Sequence, residues 1–242
     1  MRVSIDSTLL AVAGGLRRLL GSVALAQDCL LCGGPAADAL LCRPCADSLP
    51  RLPDALCPVC ALPTPGAGIC GACQTRRPNF DATTAAFRYD FPVDRLVQSL
   101  KYQHRLALAP WFATAMLALS PPPGRHDLLL ALPLAPRRLA ERGFNQALEI
   151  ARPLAHALSL PLELDLCVRR IEGVPQASLP WRARQRNVRG IFEVQRDLTG
   201  KSVLVVDDVM TTGASLNELA RTLKKHGAAR VDNWVAARTI LH

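Results

Sequence analysis

The chain has 242 residues, of which 50% are hydrophobic and 20% are charged. This balance is typical of a globular protein and excludes a globally disordered or fibrous chain. The length allows one substantial core together with a small additional module. The formal net charge of +9 favours anionic partners such as phosphates, nucleotides or nucleic acids, without choosing between them.

Residues 1–27 are predicted to form an N-terminal extension, either an amphipathic helix or a loose segment. A cleaved signal peptide is the alternative, because Ala24, Leu25 and Ala26 resemble a cleavage site. However, the paired arginines 17–18 interrupt the apolar stretch, and no apolar run reaches the roughly 18 residues that a membrane span needs. We therefore expect a cytoplasmic protein without a membrane span.

Eight of the nine cysteines form four C-x-x-C pairs, and the last two pairs repeat the first two after a shift of 28 residues (57 − 29). Two such pairs can complete a closed tetrahedral Zn²⁺ site, so residues 28–78 are predicted to form a double zinc ribbon with two structural zinc ions. Pairing within each repeat is the simplest arrangement, and the spacing also leaves open a crossed pattern that links the first pair to the third. The expected ligands are Cys29, Cys32, Cys42, Cys45, Cys57, Cys60, Cys70 and Cys73.

Disulfide bonds and a redox-active thiol pair are the alternatives for these cysteines. Disulfides need an oxidising compartment, which the weak export signal does not favour, and a redox-active pair would not occur four times without a strand–helix context. Because four cysteine ligands leave no coordination position for water, the metal is expected to stabilise the fold rather than to catalyse. Cys167 lies outside the repeats and is interpreted as a small buried thiol.

Residues 79–242 are predicted to form an α/β domain with a mainly parallel sheet, because short apolar runs alternate with segments of helical periodicity. The run at 202–208 is the clearest strand, and the last strand is expected to close the sheet. Strands are expected at 83–90, 126–133, 160–170, 190–197, 202–208 and 229–240, and helices at 92–103, 143–159 and 214–227.

Two adjacent acids, Asp207 and Asp208, end the clearest strand, and a polar turn that contains Gly213 follows. Ligands of open α/β sheets bind beyond the carboxyl ends of the strands. A glycine can adopt positive φ, and the backbone N–H groups and the helix dipole then favour a phosphate. Since carboxylates repel a phosphate, their expected targets are sugar hydroxyls or Mg²⁺, which together predict a ribose phosphate. An ordinary capped helix after a turn is the alternative.

This pattern of four apolar residues, two acids and T-T-G resembles the phosphoribosyl pyrophosphate (PRPP) signature of type I phosphoribosyltransferases. The resemblance implies that the two acids hold the ribose 2′ and 3′ hydroxyls, and that the turn binds the 5′-phosphate. It also implies a Rossmann-like type I phosphoribosyltransferase fold. The implied PRPP-binding residues are Asp207, Asp208, Val209, Met210, Thr211, Thr212, Gly213, Ala214 and Ser215.

Arg138 and Arg142 follow another predicted strand, and their spacing predicts a pyrophosphate clamp, with a solvated basic turn as the alternative. The surrounding R-x-x-x-R-G-F-N-Q-A motif at 138–147 resembles the signature of the competence protein F family (ComF, including the ComFC and GntX proteins). Members of that family join an N-terminal zinc segment to a phosphoribosyltransferase-like domain. The resemblance therefore covers nearly the whole chain apart from residues 1–27.

An arginine-rich segment, 169–192, carries six arginines against one glutamate. The resemblance implies that it is a flexible loop that closes over PRPP, with Gln176, Arg184 and Asn187 in the family's spaced pattern and with Arg184 in a catalytic role beside the two acids. A nucleic-acid-binding arm is the alternative, because arginines near a tryptophan can contact phosphates and stack on bases. Lys101 is a weaker candidate, which a solvated helix end explains equally well.

Three functions remain open from the sequence. The first is a Mg²⁺-dependent phosphoribosyltransferase whose acceptor the sequence does not reveal, and the arginine-rich segment favours it. The second is a PRPP-sensing module without turnover. The third is a protein that binds single-stranded DNA or the DNA-uptake machinery, which the resemblance implies through the family's association with natural transformation. The expected cofactors are Mg²⁺ with PRPP and two structural Zn²⁺ ions.

Overall fold

The computed structural model describes residues 27–119, 121–170 and 190–240. One compact unit ends at Ser48, and a second begins at Leu49. In the first unit, an isolated bridge pairs Asp28 with Pro35, and the short helix α1 (Arg43–Asp47) begins directly after Cys42.

The second unit begins with the same construction. An isolated bridge pairs Leu56 with Pro63, a 3₁₀ helix occupies Pro65–Ala67, and helix α2 (Gly71–Thr75) begins directly after Cys70. The bridges and the helices of the two units are related by the same 28-residue shift (56 − 28 and 71 − 43) as the cysteines. The sequence repeat is therefore also a structural repeat.

A five-stranded parallel sheet is the centre of the second unit, with the strand order β1-β7-β6-β2-β3. A separate two-stranded antiparallel sheet pairs β4 with β5. The strands are β1 (Ala82–Arg88), β2 (Leu128–Ala131), β3 (Leu162–Glu163), β4 (Cys167–Arg169), β5 (Phe192–Val194), β6 (Ser202–Met210) and β7 (Arg230–Arg238). The remaining helices are α3 (Val93–Tyr102), α4 (Leu108–Leu117), α5 (Pro136–Arg142), α6 (Gln146–Leu158) and α7 (Ala214–Lys225).

Strand β6 occupies the middle of this sheet, between β2 and β7. The four apolar residues at 203–206 are fully buried, as expected for a parallel strand that is covered on both faces. They pair with Leu128–Ala131 on one side, and Val203 aligns with Val231 on the other. This register places the two acids that follow in the interior of the domain, at the carboxyl end of the sheet.

The main core includes both sheet residues and residues of the second cysteine repeat. Cys57, Cys60 and Cys73 are buried in one hydrophobic cluster with Val205 of β6 and Leu219 of α7. The second repeat is thus part of the same core as the parallel sheet.

The mainly parallel α/β fold is confirmed, and several details differ from the sequence-based predictions. Strand β7 does not close the sheet, because it lies between β1 and β6. The predicted strand at 160–170 is divided: β3 extends the parallel sheet, whereas β4 leaves it and pairs with β5. Helix α4 was not predicted, because its apolar residues are not confined to one face, and it is buried against α6 and β7.

Within the described ranges, no helix combines the length and the hydrophobicity that a membrane crossing requires.

Candidate functional site

Two adjacent carboxylates lie near the end of β6 and line a cleft at the carboxyl end of the sheet. Asp207 is 7% exposed and Asp208 is 3% exposed. The strand continues beyond them to Met210, so the acids belong to its last residues rather than to the loop that follows. Their position is fixed by the hydrogen-bonded sheet on both sides of β6.

Asp208 is held by side chains from two helices. It forms an ion pair with Lys101 Nζ, from the last turn of α3, and its Oδ1 accepts a 3.2 Å hydrogen bond from Gln146 Nε2 of α6. Arg142 Nη1 in turn donates to Gln146 Oε1. The backbone N–H of Asp208 donates to Asp207 Oδ1 at 2.9 Å, so the two carboxylates have a defined relative orientation.

The pKa values of the two acids are shifted in opposite directions. Burial and the neighbouring Asp208 carboxylate raise the pKa of Asp207 well above its usual value. Burial also disfavours the ionised form of Asp208, but the Lys101 ammonium outweighs it and lowers the pKa of Asp208. Despite its own burial, Lys101 has a raised pKa because of this carboxylate. At neutral pH the site therefore contains an ionised Asp208–Lys101 pair beside a carboxyl group that retains its proton more readily.

The turn between β6 and α7 can bind an anion. Gly213 immediately precedes the 12-residue helix α7 and has φ of +75°, a conformation that residues with a Cβ rarely adopt. A Cβ at this position would also lie 2.5 Å from Met210 Cε. Thr212 Oγ1 accepts the Ala214 N–H at 3.3 Å. Backbone N–H groups and the partial positive charge of a helix N terminus favour a phosphate here.

A cavity of about 390 Å³ joins the carboxylates, the turn and basic side chains. This volume lies in the range of small-molecule sites. All nine residues of the implied PRPP motif, 207–215, line it. Lys101 and Arg138 add positive charge to the lining, so the structure brings one acidic and one basic region together around a single cavity.

The two arginines of the predicted clamp lie in different environments. Arg138 is exposed on α5 and lines the cavity at the end of β6. Arg142 ends α5 and is 8% exposed, with its guanidinium 5.2 Å from the centre of the Tyr102 ring. The chain turns at Gly143, where φ is +78°, and this turn directs Arg142 towards α6. Arg138 can therefore contact a ligand directly, whereas Arg142 is joined to Asp208 through the hydrogen bonds of Gln146.

Three residues predicted for the flexible loop, Gln176, Arg184 and Asn187, lie outside the described residues. The proposed catalytic role of Arg184 therefore stays a prediction.

Two residues of the site were not singled out from the sequence. Gln146 lies within the R-G-F-N-Q-A motif, and its place in that motif was the available signal. Arg238 ends β7 and donates from Nη1 to Met210 O at 3.0 Å and to Thr211 O. It lies at the carboxyl end of a strand, where the general rule for ligand sites in open sheets applies.

The eight cysteines of the repeats form two clusters. Within each cluster the four Sγ atoms lie within 4.8 Å of one another, so the pairing is within repeats and not crossed. We call them the first cluster, formed by Cys29, Cys32, Cys42 and Cys45, and the second cluster, formed by Cys57, Cys60, Cys70 and Cys73.

Both clusters fit a tetrahedral Zn²⁺ ion. A Zn–S bond of about 2.3 Å implies sulfur–sulfur separations of roughly 3.8 Å, close to the 3.7 Å between Cys32 and Cys42 and the 3.5 Å between Cys60 and Cys70. Burial alone would raise the pKa of Cys57, but backbone hydrogen bonds lower it to about 7, and Cys70 N–H donates to its Sγ at 3.4 Å. These bonds favour the thiolate form of Cys57, whereas burial raises the pKa of Cys60 to about 11.

A parallel sheet with paired acids before a phosphate-binding type of turn, together with two four-cysteine clusters, defines a phosphoribosyltransferase-like protein with a double zinc ribbon. Comparisons with known proteins agree with this class. Residues 145–238 match the family described as phosphoribosyl transferase domain, and residues 20–74 match the double zinc ribbon domain.

Named relatives align over most of the chain. A DNA utilization protein YhgH from Salmonella typhimurium is 32% identical over 88% of this chain and 97% of its own length. Competence protein F from Haemophilus influenzae is 29% identical over 70% of this chain and 78% of its own. Competence protein ComFC from Bacillus subtilis is 25% identical over 84% and 85%, respectively. The chain belongs to the ComF family.

Proposed function

We propose that the chain binds PRPP together with Mg²⁺ in the cleft at the end of β6, and that it transfers the phosphoribosyl group to an acceptor. The observation that carries the proposal is the single cavity of about 390 Å³ that joins buried carboxylates to a turn suited to phosphate. PRPP has hydroxyl groups in the middle of the molecule and phosphoryl groups at two positions. An acidic region flanked by an anion-binding turn and basic side chains is complementary to this distribution.

The two acids fit the ribose and the metal. Asp207 and Asp208 are acceptors for the 2′ and 3′ hydroxyls, and carboxylate oxygens are ligands that Mg²⁺ prefers. When bound, Mg²⁺ supplies positive charge that offsets the charge of the pyrophosphate group. Lys101, which pairs with Asp208 in the free protein, is close enough to the acids to exchange this partner for a phosphoryl oxygen.

The basic side chains stabilise the departure of pyrophosphate. The bond between the anomeric carbon and the pyrophosphate oxygen breaks, the electron pair leaves with the pyrophosphate, and the acceptor nucleophile forms the new bond at the same carbon. No nucleophile of the protein takes part. Lys101 and Arg138 line the cavity and supply fixed positive charge where negative charge develops, which is the type of contribution that dominates many enzymatic rate accelerations.

Calorimetric titration of the protein with PRPP in the presence of Mg²⁺ tests the binding site. We expect saturable binding to the wild type, and an affinity reduced at least about tenfold in Asp208→Asn, because a charged hydrogen-bond acceptor and a metal ligand are lost. Asp54→Asn, which changes an exposed acid of the same unit, is the matched control and should bind as the wild type does. Equal affinities in all three proteins would refute the assignment.

Release of pyrophosphate separates the enzyme from a PRPP sensor without turnover. We propose the enzyme, and we expect pyrophosphate to appear when PRPP is combined with the correct member of a panel of nucleobases and nucleic acids. Tight PRPP binding with no pyrophosphate released by any member of such a panel would favour the sensor.

Binding of single-stranded DNA is a second candidate function, and it is compatible with the first. The net charge of +9 favours it, and the relatives named for DNA utilization and competence suggest a link to DNA uptake. Filter binding of a single-stranded oligonucleotide should weaken steeply as salt increases, because phosphate contacts release counterions. A response that does not change with salt would argue against this function. We place both functions in the cytoplasm, where thiols stay reduced and available to metal.

A further inference from the structure

One buried arginine links the second cluster to the turn that is proposed to bind phosphate. Arg238, the last residue of β7, is 4% exposed. Its Nε donates to Cys60 O at 2.9 Å. Its Nη1 donates to Met210 O at 3.0 Å, to Thr211 O, and to Thr239 O at 2.7 Å. The guanidinium group therefore joins a metal-binding C-x-x-C pair to the first residues of the turn.

The positive charge of Arg238 must be compensated in the interior of the protein. Burial lowers the pKa of Arg238, while the nearby cysteines act in the opposite direction, and an arginine stays protonated in proteins. A buried cation needs compensating partners. The backbone carbonyls that accept its hydrogen bonds provide part of this compensation. Four cysteinate ligands around one Zn²⁺ leave a net negative charge, which would provide the remainder.

Packing couples the same two regions. Met210 and Phe80 are buried in one cluster with Cys60 and Cys73. A Cβ on Gly213 would meet Met210 Cε at 2.5 Å and Phe80 at 3.8 Å, so the turn is closely packed on these two side chains. A displacement of the second cluster would therefore change the packing beneath the turn, because well-packed interiors transmit small displacements.

We propose that Arg238 is a positioning residue, and that metal in the second cluster holds the 210–215 turn in its ligand-binding shape. This inference rests on the proposed PRPP site and adds a specific dependence: PRPP affinity requires metal in the second cluster and does not require metal in the first.

The repeat supplies a matched pair of variants for the test. Cys70 and Cys42 are equivalent after the 28-residue shift (70 − 42) and are both half-buried. Cys70→Ser and Cys42→Ser should each bind about one zinc ion fewer than the wild type. Cys70→Ser should reduce the affinity for Mg²⁺–PRPP about tenfold or more, the equivalent of losing a charged hydrogen bond. It should also accelerate hydrogen exchange of the amides in 210–215, whereas Cys42→Ser should change neither quantity.

Arg238→Met keeps all eight cysteines and tests the link if Cys70→Ser does not fold. It should retain the wild-type zinc content, lose PRPP affinity to a similar extent, and accelerate exchange of the same amides. Arg238→Lys keeps the charge but has fewer donor directions, and it should restore part of the affinity. Wild-type affinity in Arg238→Met, or an equal loss of affinity in the Cys42→Ser and Cys70→Ser proteins, would overturn the inference.

Amide exchange separates this inference from the proposed function. If the wild type does not bind PRPP, the proposed function fails. Faster exchange at 210–215 in Arg238→Met would nevertheless support the positioning role, and unchanged exchange there would refute it.

Discussion

The two cysteine clusters share one sequence plan but differ in their surroundings. In the first cluster Cys29 is buried, while Cys32 is exposed, and the cluster belongs to the compact unit that ends at Ser48. In the second cluster Cys57, Cys60 and Cys73 are all buried, within the core of the parallel sheet. Duplication has thus produced two similar metal sites, and only the second forms part of the described core of the α/β domain.

Backbone hydrogen bonds show the same difference. In the first repeat, Leu30 N–H donates to Leu40 O at 3.0 Å, within the repeat itself. In the second repeat, Pro58 O accepts the N–H of Thr83, in β1, at 3.2 Å, and Cys60 O accepts from Arg238. A zinc ribbon that shares hydrogen bonds with a sheet can affect the stability and the ligand site of that sheet.

The largest expected difference concerns stability. Cys73→Ser should lower the free energy of unfolding of the second unit by several kcal/mol, because binding free energy of a structural metal is also folding free energy. Cys45→Ser, its equivalent in the first cluster, should leave the transition of the second unit unchanged. Chemical denaturation followed by intrinsic tryptophan fluorescence, to which Trp234, buried in β7, contributes, measures this transition. An equal decrease in the free energy of unfolding of the second unit in both variants would contradict the proposed difference between the clusters.

The second largest difference is expected in the rate of zinc release from the two clusters. A chelator that changes absorbance on binding zinc should remove the first-cluster ion about tenfold faster than the second, because release from a buried site requires more extensive local opening. The fast phase should be absent in Cys42→Ser and present in Cys70→Ser. A single phase that releases both ions together would contradict the difference in burial as the controlling factor.

An effect of opposite sign is expected at the acids of β6, which precede the 210–215 turn. Asp207→Asn should raise the free energy of unfolding by about 1 kcal/mol at neutral pH, while it weakens PRPP binding. The raised pKa of Asp207 means that the native state binds more protons than the unfolded state, so this group destabilises the fold increasingly as pH rises above its unfolded value of about 4. The asparagine amide can still accept the Asp208 N–H.

Denaturation of both proteins across this pH range measures the effect. The variant should gain stability relative to the wild type as pH rises from about 4 towards neutrality. A difference in the free energy of unfolding between variant and wild type that narrows with rising pH would contradict the raised pKa of Asp207.

The smallest effects are expected at surface ion pairs. Arg43 and Asp47 in α1 are 3.6 Å apart, with side chains that are 93% and 73% exposed, so Arg43→Ala should leave stability unchanged. Lys224 and Asp81 are 2.8 Å apart and more enclosed, and Asp81 also accepts the Val231 N–H at 2.8 Å. Lys224→Met should cost up to about 1 kcal/mol. Thermal denaturation measures both, and a larger loss in Arg43→Ala would reverse the expected order.

Local patterns in the sequence were sufficient for the elements that depend on them. The zinc repeat follows from cysteine spacing, and the β6–turn–α7 junction follows from the apolar run, the acids and Gly213. Each of these features requires particular residue types at short separations, so the sequence alone contains the signal.

Features that depend on distant contacts were not predictable in the same way. Strand order is set by pairings between residues far apart in sequence, such as Val203 with Val231, so the interior position of β7 left no local signal. The different environments of Arg138 and Arg142 arise from the turn at Gly143 and from the contact with Gln146, and not from their spacing. Arg238 joins residues 178 and 28 positions away, and only the folded chain brings these groups together.

A crystal structure of the complex with Mg²⁺ and PRPP tests the central claim most directly. The account predicts the 5′-phosphate at the backbone N–H groups of 211–215, the ribose hydroxyls at Asp207 and Asp208, and the pyrophosphate beside Lys101 and Arg138. Electron density for PRPP elsewhere on the protein, with the cavity at the end of β6 left empty, would contradict it.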